Sequence, residues 1–65
     1  MKVRDIIKLI QDHGWRLERT RGGHRQFRHP DRSGTVTVAA HPNSDLSRGM
    51  IRSILRQAGL SRDDL

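Results

Sequence analysis

Arg21-Gly22-Gly23-His24-Arg25-Gln26-Phe27-Arg28 is the stretch of this chain whose residue types can do chemistry. Two adjacent glycines precede a histidine, and Arg16, Arg19, Arg21, Arg25 and Arg28 surround it against the single Glu18. Gly22 and Gly23 carry no side chain to keep a backbone N–H away from a phosphate. Histidine is the side chain that ordinarily changes charge near neutral pH, so His24 is a candidate proton carrier. Guanidinium forks match phosphate oxygens and stabilise the charge that builds up when a phosphodiester is attacked. An RNA phosphodiester needs little else, because the ribose 2′-hydroxyl is its own nucleophile. A base takes the hydroxyl proton, an acid protonates the leaving 5′-oxygen, and cations hold the phosphorus centre. One placed proton carrier contributes on the order of 10²–10⁴ in rate. The same residues also have a plain reading, in which Gly22-Gly23 is a turn and His24 a polar surface residue.

Other chemistries find less support. There is no cysteine, which removes disulfides, thiolate metal sites and cysteine nucleophiles together. His24, His29 and His41 lack the close helical or Cys-paired spacing of zinc ligands, so no metal site and no cofactor is expected. His13 ends a helical stretch, where a cation complements the dipole. Ser44, Ser47 and Ser53 have no nucleophile-elbow setting, and there is no phosphate-binding or dinucleotide fingerprint. Trp15 and Phe27 are the only aromatics, and strand parity assigns both to the core, which argues against base stacking.

The elements that position His24 follow from periodicity. Val3, Ile6, Ile7 and Ile10 form one apolar stripe and predict a helix over residues 2–13, stopped by Gly14. Alternation predicts strands over 15–20 and 24–29, with Arg21-Gly22-Gly23 as the turn between them, and a β-branched strand over 35–39. Residues 29–34 have turn chemistry. A last helix is expected from Ser47, its N-cap, to Ala58, with Gly59 closing it and residues 61–64 forming at most one capped turn. The order helix–strand–strand–strand–helix predicts a two-layer α+β domain over residues 1–65, both helices on one face of a three-stranded antiparallel sheet. Trp15, Leu17, Phe27, Val36 and Val38 should face the helices. His24, Gln26 and Arg28 fall on the other side of their strand, with Arg16, Glu18, Thr35 and Thr37 beside them. The expectation is an open, positively charged sheet face bearing one imidazole.

Composition sets the outer bounds. Sixty-five residues make one small domain, too small to wall a deep cavity, so any site is shallow. Thirteen Lys and Arg against seven Asp and Glu give a net charge of +6. Eleven of the thirteen are arginine, the residue suited to bidentate phosphate contacts. No membrane span or signal peptide is expected, and a cytoplasmic location follows as the default. The same element order occurs in double-stranded-RNA-binding domains, which strengthens the case for RNA by analogy.

The ordered set of motifs resembles one known family over nearly the whole chain. It comprises Ile6-Ile7-Lys8-Leu9-Ile10, Gly14-Trp15, Gly22-Gly23-His24-Arg25-Gln26-Phe27-Arg28-His29-Pro30, Gly34-Thr35-Val36-Thr37-Val38, His41-Pro42, Asp45-Leu46 and Ile51 through Leu60. The sequence is similar to the HicA mRNA interferases of type II toxin–antitoxin pairs. The resemblance implies a double-stranded-RNA-binding-like fold, metal-independent cleavage of mRNA, His24 as the catalytic histidine, Gly22 in the active-site motif, and a HicB-like antitoxin that masks the site. The second motif position, often serine in such proteins, is Gly23 here. Arg16, Arg21, Arg25 and Arg28 are the expected RNA contacts. Two rival classes remain: a non-catalytic RNA-binding module using the same basic face, and a protein-interaction domain whose charge recruits an acidic partner.

Overall fold

Val3, Ile6 and Ile10 recur along one helical face, and all three are fully buried in helix α1 (Val3–Asp12) of the computed structural model, which describes residues 1–39 and 41–65. The loop carrying His41 and Pro42 supplies partners for the start of α1. Val3 N–H donates to the Ser44 carbonyl at 2.9 Å and Arg4 N–H to the Pro42 carbonyl at 3.0 Å. A helix end otherwise leaves these donors unpaired. At the other end Gly14 adopts φ +95, Trp15 N–H reaches the Ile10 carbonyl at 3.0 Å, and Gly14 N–H reaches Gln11 at 3.0 Å. This crossed pair is a Schellman closure, and it turns the chain directly into the sheet.

Strands β1 (Arg16–Arg21), β2 (His24–Arg28) and β3 (Val36–Ala39) form an antiparallel sheet in the order β1-β2-β3. Helix α2 (Arg48–Ala58) follows, with Ser47 Oγ accepting the Met50 N–H at 3.2 Å as its N-cap. A 3₁₀ turn (Arg62–Asp64), capped by Ser61, closes the described chain. Val36 and Val38 alternate inward from β3 and Phe27 from β2, and they meet Ile6, Ile10, Ile54 and Leu55 from the two helices. Trp15 sits at the centre of this contact, and its indole N–H donates to the Ala58 carbonyl at 3.3 Å. Both helices therefore cover the Phe27 face, as the apolar stripes require, and the opposite face is left without a helix.

Two expectations are corrected. Trp15 precedes the first strand rather than opening it, because its N–H is taken by the end of α1. Leu17 pairs with Phe27 and shares its face, yet it is 49% exposed. Alternation gives the side of a strand on which a residue lies, but not how far the helices reach. Here they stop short of β1, whose six residues are all exposed.

Candidate functional site

The β1–β2 hairpin is closed by Gly22 and Gly23, with Arg21 paired directly to His24. Gly22 has φ +59 and Gly23 does not have a positive φ. That combination is the type II′ turn, whose first central residue is normally glycine and whose twist matches the flanking strands. Nothing lies within 4 Å of a side-chain position at either glycine, so a side chain there would project into open space.

His24 is the first residue of β2, flanked by Arg21 on one side and Ala39 on the other. It is exposed, and its side chain makes no hydrogen bond or ion pair among the described residues. Directly paired side chains on one sheet face lie roughly 4.5–5.5 Å apart at Cβ, so the Arg21 guanidinium reaches any group bound at the imidazole.

A bulge alters the rest of the face. Leu17 pairs with Phe27, but Arg19 rather than Glu18 pairs with Gln26, so Glu18 is the extra residue. Arg19 and Arg21 therefore join His24, Gln26 and Thr37 on the open side, and Arg16 faces Arg28 at the far end. Glu18 still reaches that side and approaches Arg28 Nε at 3.7 Å. Both groups are more than half exposed, so the pair contributes little stability, but it tethers Arg28. The guanidiniums on the His24 face are thus Arg16, Arg19, Arg21 and Arg28. Strict alternation missed Arg19, because nothing in Arg16-Leu17-Glu18-Arg19 announces a bulge. Arg25, expected as a phosphate contact, lies on the other face. It pairs with Thr20 and Val38 and is half-buried, because adjacent strand residues point to opposite sides.

His29 and His13 are occupied elsewhere, and His41 lies exposed in the loop, just before α1's partners Pro42 and Ser44. His29 Nδ1 accepts the Asp31 N–H at 3.0 Å, which leaves Nε2 as the donor to the His13 carbonyl at 2.9 Å. Its ring meets Trp15 edge-on at 5.2 Å, and it packs so close to Gly14 that a β-carbon there would fall 2.6 Å from Nε2. His29 is therefore a structural clasp between the β2 exit and the α1–β1 corner. His13 contacts the Leu9 carbonyl and stands 3.8 Å from Asp64. Among the described residues no three His, Asp or Glu side chains converge as a metal site would require.

Topology and site together define a class: a small basic α+β domain of double-stranded-RNA-binding-like architecture with an uncovered, arginine-lined sheet face. Comparison with known proteins narrows it. The profile described as the HicA toxin of bacterial toxin–antitoxin systems matches residues 3–60, and the chain belongs to that family. A chain of the solved "HicA3 and HicB3 toxin-antitoxin complex" superposes with a TM-score of 0.74 at 28% identity, covering 92% of this chain and 96% of that one. No curated protein sequence matches the chain. No helix among the described residues is long and apolar enough to cross a membrane.

Proposed function

We propose that this chain is the toxin of a toxin–antitoxin pair and cleaves mRNA, with His24 as its catalytic side chain and a cytoplasmic site of action. The observation that carries the reading is the placement of His24. It is an exposed imidazole, without a side-chain partner among the described residues, on the uncovered sheet face next to Arg21 at a two-glycine turn. In the reaction the ribose 2′-oxygen loses its proton and attacks phosphorus, the P–O5′ bond breaks, and the 5′-oxygen is protonated as it leaves. His24 carries one of these two proton transfers. Arg19 and Arg21 lie where they can hold the non-bridging phosphate oxygens, and charge-assisted contacts of that kind are worth most when they strengthen in the transition state. Gly22 and Gly23 let the RNA backbone approach the turn without obstruction.

Membership in a toxin family, and the solved relative seen in a toxin–antitoxin complex, support a HicB-like antitoxin as partner. A face this positive fits a complementary acidic or face-covering surface.

The test is a translated message incubated with purified wild type and His24→Ala. Wild type should cut and the variant should not, by at least roughly 10² in rate. Both should melt within about 0.5 kcal/mol of each other, since the His24 side chain is exposed and unbonded. Arg19→Ala should cut more slowly than wild type but measurably, and bind RNA more weakly, with a shallower salt dependence by about one phosphate contact. Wild-type binding with steep salt dependence and no cutting would establish the non-catalytic RNA-binding module instead, which the same arginine face could serve.

A further inference from the structure

Helix α2 carries a second basic surface, in the helical layer and away from the His24 face. Arg48, Arg52 and Arg56 follow one another at four-residue spacing along the flank of the helix. Arg62, from the closing 3₁₀ turn, comes up beside them. Arg48, Arg52 and Arg62 line one shallow depression with Ile51, Leu55 and Leu65, and Arg52, Arg56 and Arg62 line an adjoining one with Leu55, Leu60 and Ser61; together they form a groove along the helix. None of the four is ion-paired among the described residues. Asp63 and Asp64 share the turn with Arg62, but neither forms an ion pair with the four arginines among the described residues; Asp64 accepts the Ser61 N–H at 2.8 Å and stands 3.8 Å from His13 Nε2.

The arrangement is unfavourable for the free protein. Like charges at i and i+4 repel along a helix, and Arg48 places a cation in the first turn, where the dipole favours an anion. That first turn contains no acidic residue. Carboxylates supplied from outside would relieve both penalties.

We infer that this groove docks an acidic, amphipathic protein segment, with carboxylates spaced to meet the arginines and one large apolar side chain seated on Ile51 and Leu55. The floor decides between this occupant and nucleic acid. A phosphodiester backbone gains nothing from aliphatic side chains, and base stacking needs an aromatic platform. Both aromatic rings of the chain are buried in the core, so the groove offers none. The depression beside Ile51 and Leu65, about 160 Å³, suits a single leucine- or ring-sized anchor. Charged residues around an apolar floor give a helix-in-groove site its orientation as well as its attraction. The inference is independent of RNA cleavage, because the groove and His24 lie on different layers of the fold.

The experiment titrates the intact chain with three probes. The first is a helical peptide with glutamates four residues apart beside a leucine–phenylalanine stripe. The second is a scrambled peptide of the same composition, and the third is a short 2′-O-methyl RNA that cannot be cleaved. Calorimetry gives affinities and backbone amide NMR gives the site. The helical peptide should shift amides of residues 48–65, and the scrambled one should bind at least roughly tenfold more weakly. Arg52→Gln and Arg56→Gln should each weaken the helical peptide severalfold, and Arg16→Gln should not; Arg52→Gln should also raise the melting temperature of the free protein, whereas Arg56→Gln should not, because Arg56 lies in the last turn where a cation suits the dipole. The glutamine variants keep a good helix former, and circular dichroism verifies that they fold. Equal binding of helical and scrambled peptides would overturn the proposal by reducing the site to bare charge. So would absence of peptide binding, or RNA shifting the α2 amides where the peptide does not.

Discussion

The two edge strands of the sheet are built to opposite plans. In β3, Val36 and Val38 are fully buried against the helices, and the outward Thr37 N–H is taken by Gln57 Oε1 at 3.1 Å. In β1 all six residues are exposed, four of them are charged arginine or glutamate, and a bulge interrupts the pairing. One edge has an outward N–H occupied by its own helix, whereas the other is defended by charge and irregularity. Burial and exposed charge are thereby segregated. The helices fasten β3 and the Phe27 side of β2, and the β1–β2 hairpin extends beyond them as an open arm that carries Arg19, Arg21 and His24.

That contrast can be broken from either end. The largest effect should come from Phe27→Ala, which empties the centre of the fastened side. A loss of roughly 3–5 kcal/mol is expected, enough to abolish a cooperative melt in a domain of this size. His29→Ala should come next. It removes two hydrogen bonds and the edge contact with Trp15, for roughly 1–3 kcal/mol, read as a lower midpoint in urea. At the turn the two glycines should separate. Gly22→Ala forces a side chain into φ +59 and should destabilise by roughly 1–2 kcal/mol, while Gly23→Ser should melt at or slightly above wild type. A Gly22→Ala protein as stable as wild type would show that the arm is not held in this turn.

The smallest effect concerns Lys2 and Asp45, which join the N-terminus to the loop before α2. The hydrogen bond from Lys2, and then its charge at 3.0 Å, hold the Asp45 carboxyl below its ordinary value. A carboxylate lowered in the folded state adds stability above its unfolded value, and the contribution disappears as pH falls through the folded one. Asp45→Asn should therefore melt slightly below wild type near pH 7, and the gap should close below about pH 4. A gap that persists in acid would assign the effect to packing instead.

Much of the fastened side was legible in the sequence, because burial there is written as periodicity. The stripe of Val3, Ile6 and Ile10 and the alternation of Val36 and Val38 each have one arrangement that hides them. Ser47 was legible as a cap for the same local reason, since its hydroxyl serves the helix three residues on. The open arm was legible only in part. Parity placed His24 correctly opposite Phe27. It failed at Leu17, where coverage by a distant element decides exposure, and at Arg19, where a single extra residue reverses the sense of everything after it. Arg25 sits inside the basic motif but on the other side of the strand, so composition pointed one way and geometry the other. The clasp made by His29 had no sequence signal, because its partners are carbonyl and amide groups brought near only by the finished fold.

The amide of Gln57 has a consequence for the protein at high concentration. Its oxygen occupies the Thr37 N–H while its nitrogen is steadied by Ser53 Oγ at 3.2 Å, so one side chain stands where a neighbouring molecule would otherwise add a strand. Shortening that residue would leave a flat hydrogen-bonding rim next to two valines. Such a rim is the starting template from which chains stack into fibrils.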